Sequence, residues 1–160
     1  MSRLRFRNVN ATPADPVESW PFEGVLSAVE RGSLVDWRRL MAAVRRDPWG
    51  SVARDLEQAL EVARPYGTAV LLERALQQAR QAAASAECAE VARRVRKSFE
   101  ASGLDRAAFA ARIGTSTSRL STYLTGRVAP SSTLLVRMER VAGAHEGNVS
   151  TRGATVQGVA

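Results

Sequence analysis

From Ala69 to Ser102 the chain contains neither proline nor glycine, and the middle of that run, QQARQAAASAEC, is dense in alanine. Alanine and arginine stand at the top of the helix-propensity scale, so a stretch of this kind is read as helix. At a rise of about 1.5 Å per residue a single helix here spans roughly 50 Å, long for a chain of this size, and one helix or two helices with a bend both satisfy the pattern. The middle of the run has only small side chains to bury. It therefore reads as a connector between two helical units, and any fold assigned to this chain has to accommodate it.

The rest of the sequence points the same way. The 160 residues include 27 Ala and 22 Arg against a single lysine, Lys97, and no segment alternates apolar and polar residues as a half-buried strand does. Helix punctuation recurs instead. SWPFEGVLSAVERG places Pro21 at a first-turn position and Gly32 just past the last periodic residue. SLVDWRRLMAAVRRD opens on Ser33 with Asp36 three residues on, the pattern of a capping box, and Leu34, Trp37, Met41 and Val44 form an expected buried stripe. Asp47 and Pro48 are expected to cap and begin the following helix, whose inward residues are Trp49, Val52, Leu56, Ala59 and Ala63, and which stops before Pro65. All three tryptophans, Trp20, Trp37 and Trp49, fall in this half, where they are expected to anchor a small bundle core.

Charge is distributed unevenly. Residues 1–10 carry three Arg and no acid, while residues 11–64 hold seven Arg against nine acids. Between 88 and 142 the ten bases Arg93, Arg94, Arg96, Lys97, Arg106, Arg112, Arg119, Arg127, Arg137 and Arg140 face only Glu90, Glu100, Asp105 and Glu139, a net +6. A region that basic attracts polyanions, and the commonest soluble polyanion is nucleic acid.

Within the basic region, GLDRAAFAARI has Asp105 as a helix cap with Phe109, Ala110 and Ile113 inward. GTSTSRLSTYLTGR follows, and VAPSSTLLVRMERVA offers a serine cap with Leu134, Leu135, Met138 and Val141 inward. The spacing predicts helices over about 88–101, 106–113, 117–124 and 132–142, with a tight turn at Gly114 and a stop at Gly126. Two short helices joined by a glycine turn make a helix-turn-helix.

Ala110 at the closest crossing, Gly114 in the turn, Leu120 and Tyr123 behind the second helix, and Gly126, Arg127 and Pro130 leading out make residues 88–142 resemble the lambda-repressor-like (Cro/cI-type, XRE) helix-turn-helix family. The resemblance implies a recognition helix lying in the major groove. Carried over residue by residue, it places Thr117, Ser118 and Thr122 at base-reading positions, with Ser116 and Ser121 at the margins. Arg106 stands where family members usually place a phosphate-touching Gln, and Arg119 and Arg127 are further phosphate candidates. Where family members often carry Arg, Gln or Asn for bidentate base contacts, this chain has hydroxyls, so direct readout is expected to be modest, and specificity to need water bridges, DNA shape or an Arg reaching a guanine from the edge of the helix.

These readings give an all-α chain: a flexible basic arm over 1–18, a helical dimerisation or partner-binding domain over 19–87, the helix-turn-helix domain over 88–142 and a flexible tail over 143–160. One cysteine, Cys88, and one histidine, His145, leave no disulfide framework and no zinc-finger spacing. No metal, cofactor or catalytic residue is expected: no glycine-rich phosphate loop and no nucleophile paired with a base is present. With no span of membrane length and no signal-peptide core, the expectation is a cytoplasmic protein that binds double-stranded DNA as a homodimeric transcriptional regulator, a repressor of the antitoxin or phage type. Its N-terminal domain would take a protein partner such as a toxin or effector. The alternative is an interaction adaptor that keeps the fold without reading DNA.

Overall fold

The computed structural model describes residues 4–7, 9–63 and 67–154, with side chains up to 144. After a single 3-10 turn at Val17–Ser19, the helices are α1 (Phe22–Arg31), α2 (Leu34–Arg46), α3 (Ser51–Ala63), α4 (Thr68–Ala101), α5 (Arg106–Ile113), α6 (Thr117–Leu124) and α7 (Ser132–Ala154), and no strand occurs among the described residues. The all-helical class matches the sequence reading. The chain divides into two compact units, Met1–Ala84 and Ser85–Ala160, and the division falls inside α4. Of the two options left open for the glycine-free run, the structure takes the single continuous helix.

The first unit is built on the apolar stripes of α1, α2, α3 and the start of α4. Val25, Ala28 and Val29 from α1 meet Leu40, Val44, Leu56 and Ala59, and Leu72, Leu76 and Ala79 close the core. Each fully buried Leu or Val contributes roughly 1.5–3 kcal/mol relative to exposure. At the start of α2, both the Ser33 backbone N–H (2.9 Å) and the Ser33 hydroxyl (2.7 Å) donate to Asp36 Oδ2. Trp37 Nε1 donates to Ala28 O at 2.8 Å, which ties α2 to the end of α1.

Three expectations for this unit change. Trp49 is 55% exposed. Asp47 is the C-cap of α2 and opens a turn instead of capping α3, with Trp49 N donating to its Oδ1 at 3.3 Å and Gly50 N to its O at 3.2 Å, so α3 starts only at Ser51 and Trp49 is out of helical phase with Val52 and Leu56. Leu34 is 57% exposed because it is the first residue of α2, ahead of the turn at which the stripe meets its neighbours.

The basic arm is not free over its described part. Leu4 is buried, and Phe6 packs edge-on against Trp20 with ring centroids 5.1 Å apart. Arg5 and Arg7 alternate outward. Arg39 donates from Nη1 to Pro13 O and from Nη2 to Asp15 O at 2.7 Å, with its guanidinium 5.3 Å from the Trp20 ring. The leader is thus a layer of the first unit, and the physical reason is its own apolar content: Leu4, Phe6 and Val17 have a core to join. Residues 1–3 lie outside the described residues.

In the second unit Val95, Phe109, Ala110, Ile113, Leu120, Leu135 and Met138 form a separate core. Helix α7 continues past the expected end at 142 to Ala154. Each interior glycine of that extension costs about 1 kcal/mol relative to alanine, but no proline forbids the helix. The part of the expected tail from 155 onward lies outside the described residues.

Candidate nucleic-acid interface

Two short helices of eight residues each are marginal by themselves, so their ends matter. Asp105 caps α5, its Oδ1 accepting from Ala108 N at 2.8 Å. At the other end Gly114 adopts φ +75°, a left-handed conformation that favours glycine, and Thr115 N closes the turn onto Ala110 O at 2.9 Å. Ser116 then caps α6, its Oγ accepting from Arg119 N at 3.2 Å. Between the two helices Phe109, Ala110, Ile113, Leu120 and Tyr123 are buried, and Phe99 of α4 meets Phe109 edge-on at 5.4 Å. Ser131 Oγ accepts from Leu134 N at 3.3 Å and starts α7.

At 100° per residue, burying Leu120 and Tyr123 turns Ser118, Ser121, Thr122 and Thr125 toward the opposite side of α6. The hydroxyls differ in what they are doing. Thr117 and Ser118 are exposed, and neither hydroxyl has a hydrogen-bond partner among the described residues. Ser116 Oγ is occupied as the cap. Thr122 is half-buried and its Oγ1 donates back to Arg119 O at 2.7 Å. Ser121 is half-buried as well. Thr125, not singled out from the sequence, lies seven residues after Ser118 on the same face and is exposed; its hydroxyl donates to Ser121 O and Thr122 O, each at 3.1 Å. Helical periodicity alone would have found it.

The bases of this unit fall into two groups. Arg106, the first residue of α5, Arg119 on α6 and Arg127 just after Gly126 are exposed, with no side-chain hydrogen bond or ion pair among the described residues, and the same holds for Lys97, Arg112 and Arg140. Four others are engaged internally. Arg93 pairs with Glu90 through Nε at 2.7 Å, and that hydrogen bond holds the Glu90 carboxyl below its ordinary range. Arg94 reaches Glu139 from Nε at 2.9 Å. Arg96 Nη1 donates to Leu124 O and Arg137 Nη1 to Ile113 O, both at 2.7 Å. Of the bases on α4, Arg94 and Arg96 are therefore engaged with α7 and the end of α6, and Arg93 with its own helix.

The architecture of α4 to α7 is matched by sequence as well: residues 93–146 fit the family model described as helix-turn-helix. This segment is a lambda-repressor-like helix-turn-helix domain. The family is one of DNA-binding transcription regulators. No curated protein and no solved structure matches the chain. Among the described residues no helix is long and apolar enough to cross a membrane, and no group of His, Cys, Asp and Glu is placed to hold a metal ion.

Proposed function

We propose that this chain is a sequence-selective DNA-binding repressor whose helix-turn-helix domain docks α6 into the major groove. The observation that carries the reading is the juxtaposition on one short helix of two exposed, unengaged hydroxyls, Thr117 and Ser118, with the exposed cation Arg119, while Arg106 opens the preceding helix and Arg127 follows the next turn. Arg106, Arg119 and Arg127 meet phosphates, and Thr117 and Ser118 meet base edges. Ser116, Ser121 and Thr122 contribute less, since the first is a cap, the second is half-buried and the third donates to its own helix.

The chain acts as a homodimer reading two half-sites about one helical turn apart, with the first unit supplying the dimer contact or receiving a protein partner. Exposed Leu34, Val35, Val62, Val70 and Leu71, all in that unit, support such a role. The test is a salt titration of duplex binding. With Arg106, Arg119, Arg127 and one further base of each subunit on phosphates, a dimer gives a log-log slope near −7, at about −0.9 per contact. The absence of duplex binding at low salt would favour the second reading, an adaptor that keeps the fold, which the hydroxyls turned back onto α6 support.

A further inference from the structure

Each helix of the motif ends close to a left-handed glycine. Gly114 is the C-cap of α5, and Gly126 stands one residue past Thr125, the C-cap of α6, at φ +75° and +74°. The turn then satisfies the carbonyls one or more residues short of the end: Ala110 O and Ala111 O in α5, and Ser121 O, Thr122 O and Tyr123 O in α6. The last carbonyl of each helix receives no backbone donor among the described residues. In both cases a guanidinium from a flanking helix takes it, Arg137 of α7 on Ile113 O and Arg96 of α4 on Leu124 O, each at 2.7 Å.

A cation at a helix C-terminus is favoured by the carbonyl dipoles gathered there. The glycines also make room for the approach. A Cβ at Gly114 would stand 3.2 Å from Arg137 Nη1, and one at Gly126 would stand 3.2 Å from the Cβ of Ala92 on α4.

We infer that Arg96 and Arg137 are positioning residues for DNA readout, clamping the two motif helices from outside the DNA-contacting surface. The inference rests on the DNA-binding reading above. Its physical basis is the shortness of the reading side chains. Arg or Gln can bend to follow a tilted helix, whereas a Ser or Thr hydroxyl goes where the backbone puts it. Leu120, Tyr123 and partly buried Leu124 set α6 on the core by apolar contacts, and Arg96 adds a directional hydrogen bond on the last carbonyl, at Leu124. Arg137 does the same for α5, whose C-terminus leads into the cap of α6.

The test uses the full chain with Arg96→Gln, Arg96→Lys, Arg137→Gln and Arg137→Lys, and two probes: a duplex selected by the wild type from a randomised pool, and an unselected random duplex. The Gln variants are expected to lose about tenfold on the selected duplex, the effect of roughly one charge-assisted hydrogen bond, and little on the random one. The Lys variants recover part of the loss. The salt slope stays at the wild-type value, whereas Arg119→Gln lowers its magnitude by about 2 in the dimer, about 0.9 per subunit.

Equal loss on both duplexes, an unchanged affinity, or a slope reduced by about 0.9 per subunit for Arg96→Gln overturns the positioning role while leaving DNA binding intact. If a Gln variant loses its far-UV helical signal, the Lys variant carries the measurement, and unfolding of the Lys variant as well assigns the residue to the fold and overturns the proposal. A wild type that selects no duplex from the pool removes the DNA reading itself.

Discussion

The Arg80 guanidinium and the Glu57 carboxylate meet in a paired contact, Nη1 to Oε1 at 2.8 Å and Nη2 to Oε2 at 2.9 Å. Arg80 also donates from Nε to Pro48 O at 3.2 Å and lies 5.0 Å from the centroid of the Trp49 ring. One side chain of α4 thereby covers the turn before α3 and the only tryptophan of the three that the core does not take up.

The hydrogen bond from Arg80 holds the Glu57 carboxyl below its ordinary range. A carboxyl with a lowered folded pKa stabilises the fold above its unfolded pKa of about 4.3, and that contribution is lost as pH falls through the lower folded value. Half of the Glu57 side chain is exposed, 50% against 21% for Arg80, so solvent screens the pair. Glu57→Gln is expected to cost less than about 1 kcal/mol at pH 7, and wild type and variant should converge in acid. Arg80→Ala, which also strips Trp49 and Pro48 O, should cost about 1–2 kcal/mol. Urea unfolding across pH measures both.

Two glycines of the second unit should respond in opposite directions to alanine. Gly114→Ala forces a Cβ into a left-handed turn and against Arg137, and should destabilise by about 1–2 kcal/mol. Gly143 lies inside α7 with nothing within 4 Å of a Cβ, so Gly143→Ala should stabilise by roughly 0.5–1 kcal/mol. Thermal unfolding of the two variants beside the wild type decides this; a loss at Gly143 would mean that α7 is not helical there.

The leader depends on Arg39. Arg39→Ala removes two hydrogen bonds to Pro13 O and Asp15 O and the contact over Trp20. We expect a loss of about 1–3 kcal/mol and faster proteolysis between residues 4 and 20 at a protease level that leaves the wild type intact. Cleavage at the wild-type rate would show that Leu4, Val17 and Trp20 hold the leader without it.

At the DNA interface, Arg106→Ala, Arg119→Ala and Arg127→Ala should each reduce the magnitude of the salt slope by about 0.9 per subunit and weaken all duplexes alike. Thr117→Ala with Ser118→Ala should flatten sequence preference while sparing most of the affinity for random duplex. Binding isotherms at four or more salt concentrations separate the two classes, and a uniform loss from the hydroxyl pair would remove Thr117 and Ser118 from the reading surface.

Helix ends were legible because their causes are local. Asp105 and Ser131 each cap through an N–H three residues away, and Ser33 and Asp36 meet over the same distance. The motif itself was legible because Ala110, Gly114, Leu120 and Tyr123 lie within one contiguous segment whose spacing admits few alternatives. Trp49 was misread for a related reason: the capping signature at Asp47 is the same for a helix start and for a turn that delays one.

What the sequence by itself determined is therefore the set of helices, the turn between α5 and α6, and the residues that α6 presents on its outer side, since propensity, capping and a period of 3.6 act within a few residues. Which of the cations remain available to a polyanion was decided only by tertiary structure. Arg137, Arg96 and Arg94 find their partners 24, 28 and 45 residues away, at Ile113 O, Leu124 O and Glu139. A flexible side chain that ends in a fixed charge takes the nearest acceptor in space, and that neighbour exists only once the helices have packed.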